Sequence, residues 1–195
     1  MKKLLFILFL LPTILSNAQE AFFRGNNSYI APQFQAPPIT SGEVTNGLLL
    51  YLNAGNASSY SGTGITWNDL SGNNNHGTLR ANNSGSLPVF QNGSFAFNGS
   101  TSYVSIVSSV IPNTGSWTLS TWAKMPGGRF TEMINTRDAS TLTGQGNFVI
   151  GWDYAWGGGA EYFLGNVATV SVYNYVLSSS DVTTNFNAVR TRFGL

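Results

Sequence analysis

Cysteine is absent from the 195 residues. That excludes a disulfide framework and any thiolate metal site. Charge is scarce: Lys and Arg total 9, Asp and Glu 8, and only 9% of residues are charged. So few scattered cations cannot form the basic stripe of a nucleic-acid footprint. Histidine occurs once, as His76. A Ser/His/Asp hydrolase would have to use it, yet it sits in a Gly/Asn-rich loop and no Gly-x-Ser-x-Gly elbow exists. What remains is apolar and aromatic: 42% hydrophobic residues, five Trp and 22 Gly. That composition is far from disorder, where apolar content falls and net charge rises. The length suits one domain able to bury roughly 70% of its unfolded surface.

The longest apolar run comes first. Lys2 and Lys3 precede Leu4 to Leu15, which only Pro12 and Thr13 interrupt, and Ser16-Asn17-Ala18 follows. A positive start, a short apolar stretch and a small-residue exit predict a secretory signal peptide over 1–18. The run is too short to cross a ~30 Å hydrocarbon core as a helix. The expectation is therefore an exported protein, extracellular or on the cell surface, of bacterial type. Residues 19–42 carry Pro32, Pro37, Pro38 and Gly42 without periodicity. They read as a linker, or as a strap docked through Phe22, Phe23, Tyr29 and Phe34.

From Glu43 to Leu195 the pattern is that of one all-β domain. Leu48 to Leu52 is a continuous apolar run, as expected of a strand buried on both faces. Val89-Phe90-Gln91 and Ser94 to Phe97 flank Asn92-Gly93, the strongest short-range hairpin signal. Strands are also expected around Tyr103 to Ile106, Trp117 to Trp122 and Val167 to Tyr173. The period then changes. Ser178 and Asp181 resemble a capping box, Val182, Phe186 and Val189 recur at helical spacing, and Arg190 and Arg192 stand where cations offset the helix dipole. One short helix over about 179–192 closes the domain.

Six blocks of this chain, in order, resemble the bacterial laminin G-like, concanavalin A-like domains. They are Gly47 to Asn56, Thr66-Trp67-Asn68-Asp69-Leu70-Ser71-Gly72-Asn73-Asn74-Asn75-His76-Gly77-Thr78-Leu79, Phe95 to Val104, Trp117 to Trp122, Gly165 to Ser178, and Asn185 to Ala188 with Arg192-Phe193-Gly194. The resemblance implies a two-sheet antiparallel jelly-roll sandwich. It also implies a non-catalytic module binding glycans or proteins, often with Ca²⁺. The middle departs from the family: Met125 to Glu161 replaces a longer stretch, so a reduced strand number is expected. The Glu-x-Asp-x-x-Glu run of related sandwich glucanases is missing, and Glu132 with Asp138, or Asp153 with Glu161, are poor substitutes by spacing.

Two places could carry a ligand. Asp69, Asn73 and Asn75 offer a carboxylate and amide oxygens within seven residues, a candidate Ca²⁺ site. The plainer reading is a set of Asx-turns that let Gly72 and Asn74 take positive φ. Phe148, Ile150, Trp152, Tyr154 and Trp156 recur at period two, so one strand would place all five on one face. Phe148 and Ile150 belong to the core on this reading. Trp152, Tyr154 and Trp156, with Asp153, are either further core or a carbohydrate-stacking surface. The chain thus reads as a secreted module for a polysaccharide or glycoprotein. The alternative is a structural or adhesive surface protein that self-associates through exposed strand edges, and a degenerate glycoside hydrolase comes third.

Overall fold

The computed structural model describes residues 6–7, 42–106, 109–126, 133–135, 148–154 and 160–195. Among them the chain is all-β, in antiparallel sheets, with one short C-terminal helix. The leader and linker expectations fall, apart from 6–7 and Gly42, outside the described residues.

The first sheet is built on one long strand, β13 (Leu164–Tyr173), whose β-branched run suits a pleated, buried surface. Strand β8 (Thr118–Lys124) lies along one side of it. Two strands share the other side end to end. Strand β6 (Ser94–Asn98) pairs with Leu164 to Val167, and β2 (Leu48–Asn53) with Thr169 to Tyr173. Strand β5 (Val89–Gln91) extends the sheet beyond β6. The two residues of β1 (Phe6–Ile7) lie parallel beside Leu119 and Ser120 of β8, inside the stretch read as the leader.

The second sheet runs in the order β3 (Thr66–Trp67), β4 (Gly77–Ala81), β7 (Ser102–Ile106), β10 (Phe148–Ile150), β9 (Ile134–Asn135). A separate ribbon joins β11 (Trp152–Tyr154) to β12 (Ala160–Tyr162). Both large sheets feed one core. Leu52, Phe95 and Val170 come from the first, and Trp67, Val104 and Phe148 from the second. The Trp67 and Phe95 rings meet edge-on across it, centroids 4.7 Å apart. Alternate residues of each strand reach this core because successive side chains point to opposite faces.

Local sequence signals decide the turns and the helix. Asn92 and Gly93 have φ of 48° and 71°, the two positive values that a type I′ hairpin turn requires. Helix α1 (Ser179–Arg190) starts at the Ser178–Asp181 capping box, with both reciprocal hydrogen bonds present. It stops at Arg190, two residues earlier than the spacing predicts. Thr191–Phe193 tightens into a 3₁₀ turn that ends at Gly194, φ 75°. The helix covers the outer face of the first sheet. There Trp122 stacks on Phe186 and Phe193, at centroid distances of 5.5 and 4.7 Å. None of the described helices is long and apolar enough to cross a membrane.

One expectation fails at Gly151. Its φ of 90° ends β10 and starts β11 afresh, so the period-two row is not one strand. A Cβ at Gly151 would also strike the Phe97 ring, which leaves glycine as the residue that fits. Phe148 and Ile150 enter the main core as expected. Trp152 instead joins Tyr103 and Val149 in a smaller cluster on the opposite face of the second sheet.

Candidate functional site

The Asp69 loop is built as a cap for a strand edge. β2 pairs with β13 on one side only, so the outward groups of Leu49, Tyr51 and Asn53 need other partners. The loop supplies them. Leu70 N donates to Tyr51 O at 2.8 Å, and Tyr51 N donates to Asp69 Oδ1 at 2.9 Å. Ser71 Oγ and Asn75 Nδ2 donate to Leu49 O, and Asn73 Nδ2 donates to Leu48 O. The carboxylate is fully engaged. Oδ1 also accepts from Ser71 N at 2.9 Å, while Oδ2 accepts from Ser71 Oγ at 2.7 Å and from Asn75 N at 2.9 Å. His76 Nδ1 accepts from Asp69 N at 3.0 Å. Gly72 and Asn74 have φ of 88° and 58°, as the Asx-turn reading requires.

This donor set does not fit Ca²⁺. The ion needs six to eight oxygens at about 2.4 Å. Here both Asp69 oxygens face N–H and O–H donors, and Asn73 and Asn75 turn their amide nitrogens onto the β2 edge. Asp69, Asn73 and Asn75 hold the β2 edge closed.

Two of the residues expected to bind sugar, Trp152 and Asp153, are placed less openly than their spacing suggests. Trp152 is 5% exposed, packs against Tyr103 and stacks on Tyr162. Asp153 is 4% exposed and accepts a hydrogen bond from Asn135 Nδ2. Tyr154 pairs in register with Ala160, and Trp156 lies outside the described residues. Asp153 and Glu161 are direct cross-strand partners, which their sequence separation conceals. Asp153 is buried and Glu161 exposed, so the pair offers one accessible carboxylate where glycoside hydrolysis needs two. Glu132 and Asp138 lie outside the described residues.

The sequence reading missed a groove at the junction of β2 and β6. Both strands run antiparallel to β13. β2 ends at Asn53 opposite Thr169, and β6 has Phe95 opposite Val167. They leave a gap beside Ala168, bridged by the bond from Ala54 N to Ala168 O at 2.9 Å. A groove of about 350 Å³ opens there, between the loop after β2 and the tip of the β5–β6 hairpin. Tyr60, Phe90, Ser61 and Asn92 line it, with Gly55 and Gly93 at its floor. The Tyr60 and Phe90 rings lie 5.0 Å apart, and both rest on Phe95. Tyr60 OH is committed to Gly64 O, whereas Asn92 and Ser61 are exposed.

Beside Gly55 and Gly93 lies a polar cluster in which Tyr51 and Asn53 are buried and Glu43 and Arg192 half-buried. Arg192 Nη1 donates to Asn53 Oδ1 at 2.6 Å, and Nη2 donates to Gly93 O. Asn53 Nδ2 donates to the Tyr51 hydroxyl, which hydrogen-bonds Glu43. In the sequence, Arg192 reads as a cation near a helix end. In the fold it is a latch, tying the C-terminus to β2 and to the β5–β6 turn. The signal that could have found it is the pair of glycines, Gly55 and Gly93, where a Cβ would strike its side chain.

Burial pushes the Glu43 carboxyl above its ordinary value, against the hydrogen bond from Tyr51 and the field of Arg192, which lower it. Burial likewise raises the Tyr51 hydroxyl, helped by the charge of Glu43, and lowers the Arg192 guanidinium. A carboxyl that binds its proton more tightly when folded stabilises the fold below its unfolded value near 4.5. That contribution is lost as pH rises through the elevated folded value. Glu43→Gln, which keeps an acceptor for Tyr51 without the charge, should therefore melt higher than the parent at pH 7. The advantage should vanish near pH 4. Calorimetry at the two values checks this, and equal melting temperatures at pH 7 would reject it.

Comparison with protein-family models, curated proteins and solved structures finds no match to this chain.

Proposed function

We propose that this chain is an exported, non-catalytic recognition module with the jelly-roll architecture of laminin G-like domains. Its ligand is a polysaccharide or the glycan of a glycoprotein, held in the groove beside Ala168. One observation carries the reading: the groove combines aromatic rings, an exposed amide, a hydroxyl and small residues, with no charged side chain in its lining. Sugars present apolar C–H faces and a rim of hydroxyls. A half-buried ring such as Phe90 takes the first, and Asn92 and Ser61 take the second. The size is at the lower end for a ligand pocket and suits one or two sugar rings. The six ordered sequence blocks support the family reading, and the two sheets closing on one core agree with it. The ribbon residues Trp152 and Asp153 offer less to a sugar, because both are covered.

Ala57 tests the site. It lines the groove, is exposed, and lies outside the core, so a large side chain there fills the space without disturbing the packing. Ala57→Trp should weaken binding of any glycan that titrates with the parent by at least about tenfold, the loss of roughly 1.4 kcal/mol. The melting temperature should stay within about 2 °C, as for an ordinary surface change. Isothermal titration against a glycan panel reads the first quantity. Unchanged affinity in Ala57→Trp would move the site elsewhere, and a parent that binds no glycan in the panel would count against the function.

A further inference from the structure

We propose that Asn92, in the lining of the groove, is a site of spontaneous covalent modification, where attack by Gly93 N converts the side-chain amide to aspartate or isoaspartate. The sequence holds three Asn-Gly pairs, Asn46-Gly47, Asn92-Gly93 and Asn98-Gly99. Glycine after asparagine leaves the following main-chain nitrogen unshielded, because no Cβ stands beside it. The three pairs therefore start alike, and the fold separates them. All three asparagines are exposed. Asn98 is nevertheless locked. Its Oδ1 accepts from Ser100 N and Thr101 N at 2.9 Å and from Ser102 N at 3.1 Å, and its Nδ2 donates to Thr101 Oγ1 at 2.8 Å. The neighbouring nitrogen is engaged as well, since Gly99 N donates to Phe163 O at 3.0 Å. The Asn46 side chain hydrogen-bonds Tyr175. Asn92 differs. Among the described residues, neither its side chain nor Gly93 N has a hydrogen-bond partner.

The reaction needs only water. Gly93 N, having lost its proton, bonds to Asn92 Cγ. The Cγ–Nδ2 bond breaks, and the amide nitrogen leaves as ammonia, carrying the proton that Gly93 N lost. Water then opens the cyclic imide at either carbonyl. One opening gives aspartate, and the other gives isoaspartate, with the backbone rerouted through the side chain. Nothing is oxidised or reduced. Ring closure turns Asn92 out of the φ of 48° that it holds in the hairpin, so the rate follows opening of the tip. Opening is cheap here. β5 is three residues long, none of them buried, and among the described residues it pairs with β6 alone. The Arg192 latch grips Gly93 O and leaves the Gly93 N–H free. The product places a carboxylate on a groove lined by no charged side chain. Isoaspartate also lengthens the backbone, which breaks the geometry of a two-residue turn. The effect on a ligand, though not the modification, rests on the groove being the glycan site.

The test stores the full chain at mildly alkaline pH, folded and in urea, and follows each Asn-Gly peptide by mass spectrometry. Asn92 and Asn98 both stand in the run Asn-Gly-Ser, so in urea the two should convert at similar rates. In the folded chain Asn92 should stay within about tenfold of its rate in urea, and Asn98 should fall at least about a hundredfold below its own. Conversion of Asn92 should slow at mildly acidic pH, where Gly93 N keeps its proton. Equal protection of the two pairs in the folded chain overturns the proposal. Asn92→Asp isolates the consequence for the groove. Aspartate also tolerates a left-handed φ, so the turn should persist. A neutral glycan that titrates with the parent should bind this variant at least about threefold more weakly, the loss of one amide hydrogen bond. Equal affinity overturns the effect on the groove. A parent that binds no glycan overturns the glycan reading, while the mass measurement still decides the modification.

Discussion

Asp69→Ala should lose about 4 kcal/mol of folding stability, a large share of what a domain of this size possesses. The carboxylate accepts four hydrogen bonds, from Tyr51 N, Ser71 N, Ser71 Oγ and Asn75 N. Asp69 is 8% exposed, so water does not readily replace it. Three backbone N–H groups would be left without a partner, each at a cost of about 1–3 kcal/mol, less whatever relaxation recovers. The damage also spreads to β2, whose outer edge this loop covers. Asp69→Asn keeps the shape but turns one oxygen into a donor facing donors, and should cost about half as much. Urea unfolding followed by Trp fluorescence measures both, and the midpoint shift is the readout. Millimolar Ca²⁺ should leave the parent's melting temperature unchanged, because the oxygens it would need are already engaged. A calcium-dependent rise of more than about 3 °C would show instead that the loop reorganises around an ion.

Phe95→Ala is expected to cost a similar amount, about 4 kcal/mol, for a different reason. Phe95 is fully buried and contacts Trp67 from the second sheet, with Tyr60 and Phe90 on its own side. Truncation opens a cavity between the sheets that strand backbones cannot close, since each is held by its own ladder. Phe95→Leu keeps most of the volume and should cost only about 1.5 kcal/mol. The groove depends on the same ring, because Tyr60 and Phe90 rest on it. On the proposed glycan reading, Phe95→Ala should also weaken binding, whereas Ala57→Trp should change binding alone. A loss under about 2 kcal/mol for Phe95→Ala would mean that the two sheets do not meet at this ring.

Much of the fold is legible in short stretches of sequence. Leu48 to Leu52 reads as a strand buried on both faces; the strand forms, but Leu48 and Leu49 stay half-buried. Asn92-Gly93 reads as a hairpin turn and takes both positive φ values. Ser178 and Asp181 read as a capping box and form it. These signals survive because each rests on interactions within a few residues, so tertiary context has little to override. The row from Phe148 to Trp156 misleads for the opposite reason. Periodicity reports a common face only while a strand continues, and Gly151 breaks the strand midway. The Asp69 loop was legible as a turn, but its purpose was not, because the edge it covers belongs to a strand some twenty residues away.

The sequence by itself determined the all-β class, the local turns and the closing helix, through propensity, alternation and capping. It also determined that no cysteine chemistry and no dense charge take part. The tertiary structure alone decided where the groove lies. β2 and β6 meet beside Ala168 because both pair with the same side of β13, and no local pattern in either strand records that meeting. Arg192 lies behind the groove for the same reason. Its partners Asn53 and Gly93 are distant in the chain and meet through that shared pairing, and Arg192 reaches both from the C-terminal segment. Long-range pairing follows from burying two sheet faces at once, a global condition that a window of a few residues cannot contain.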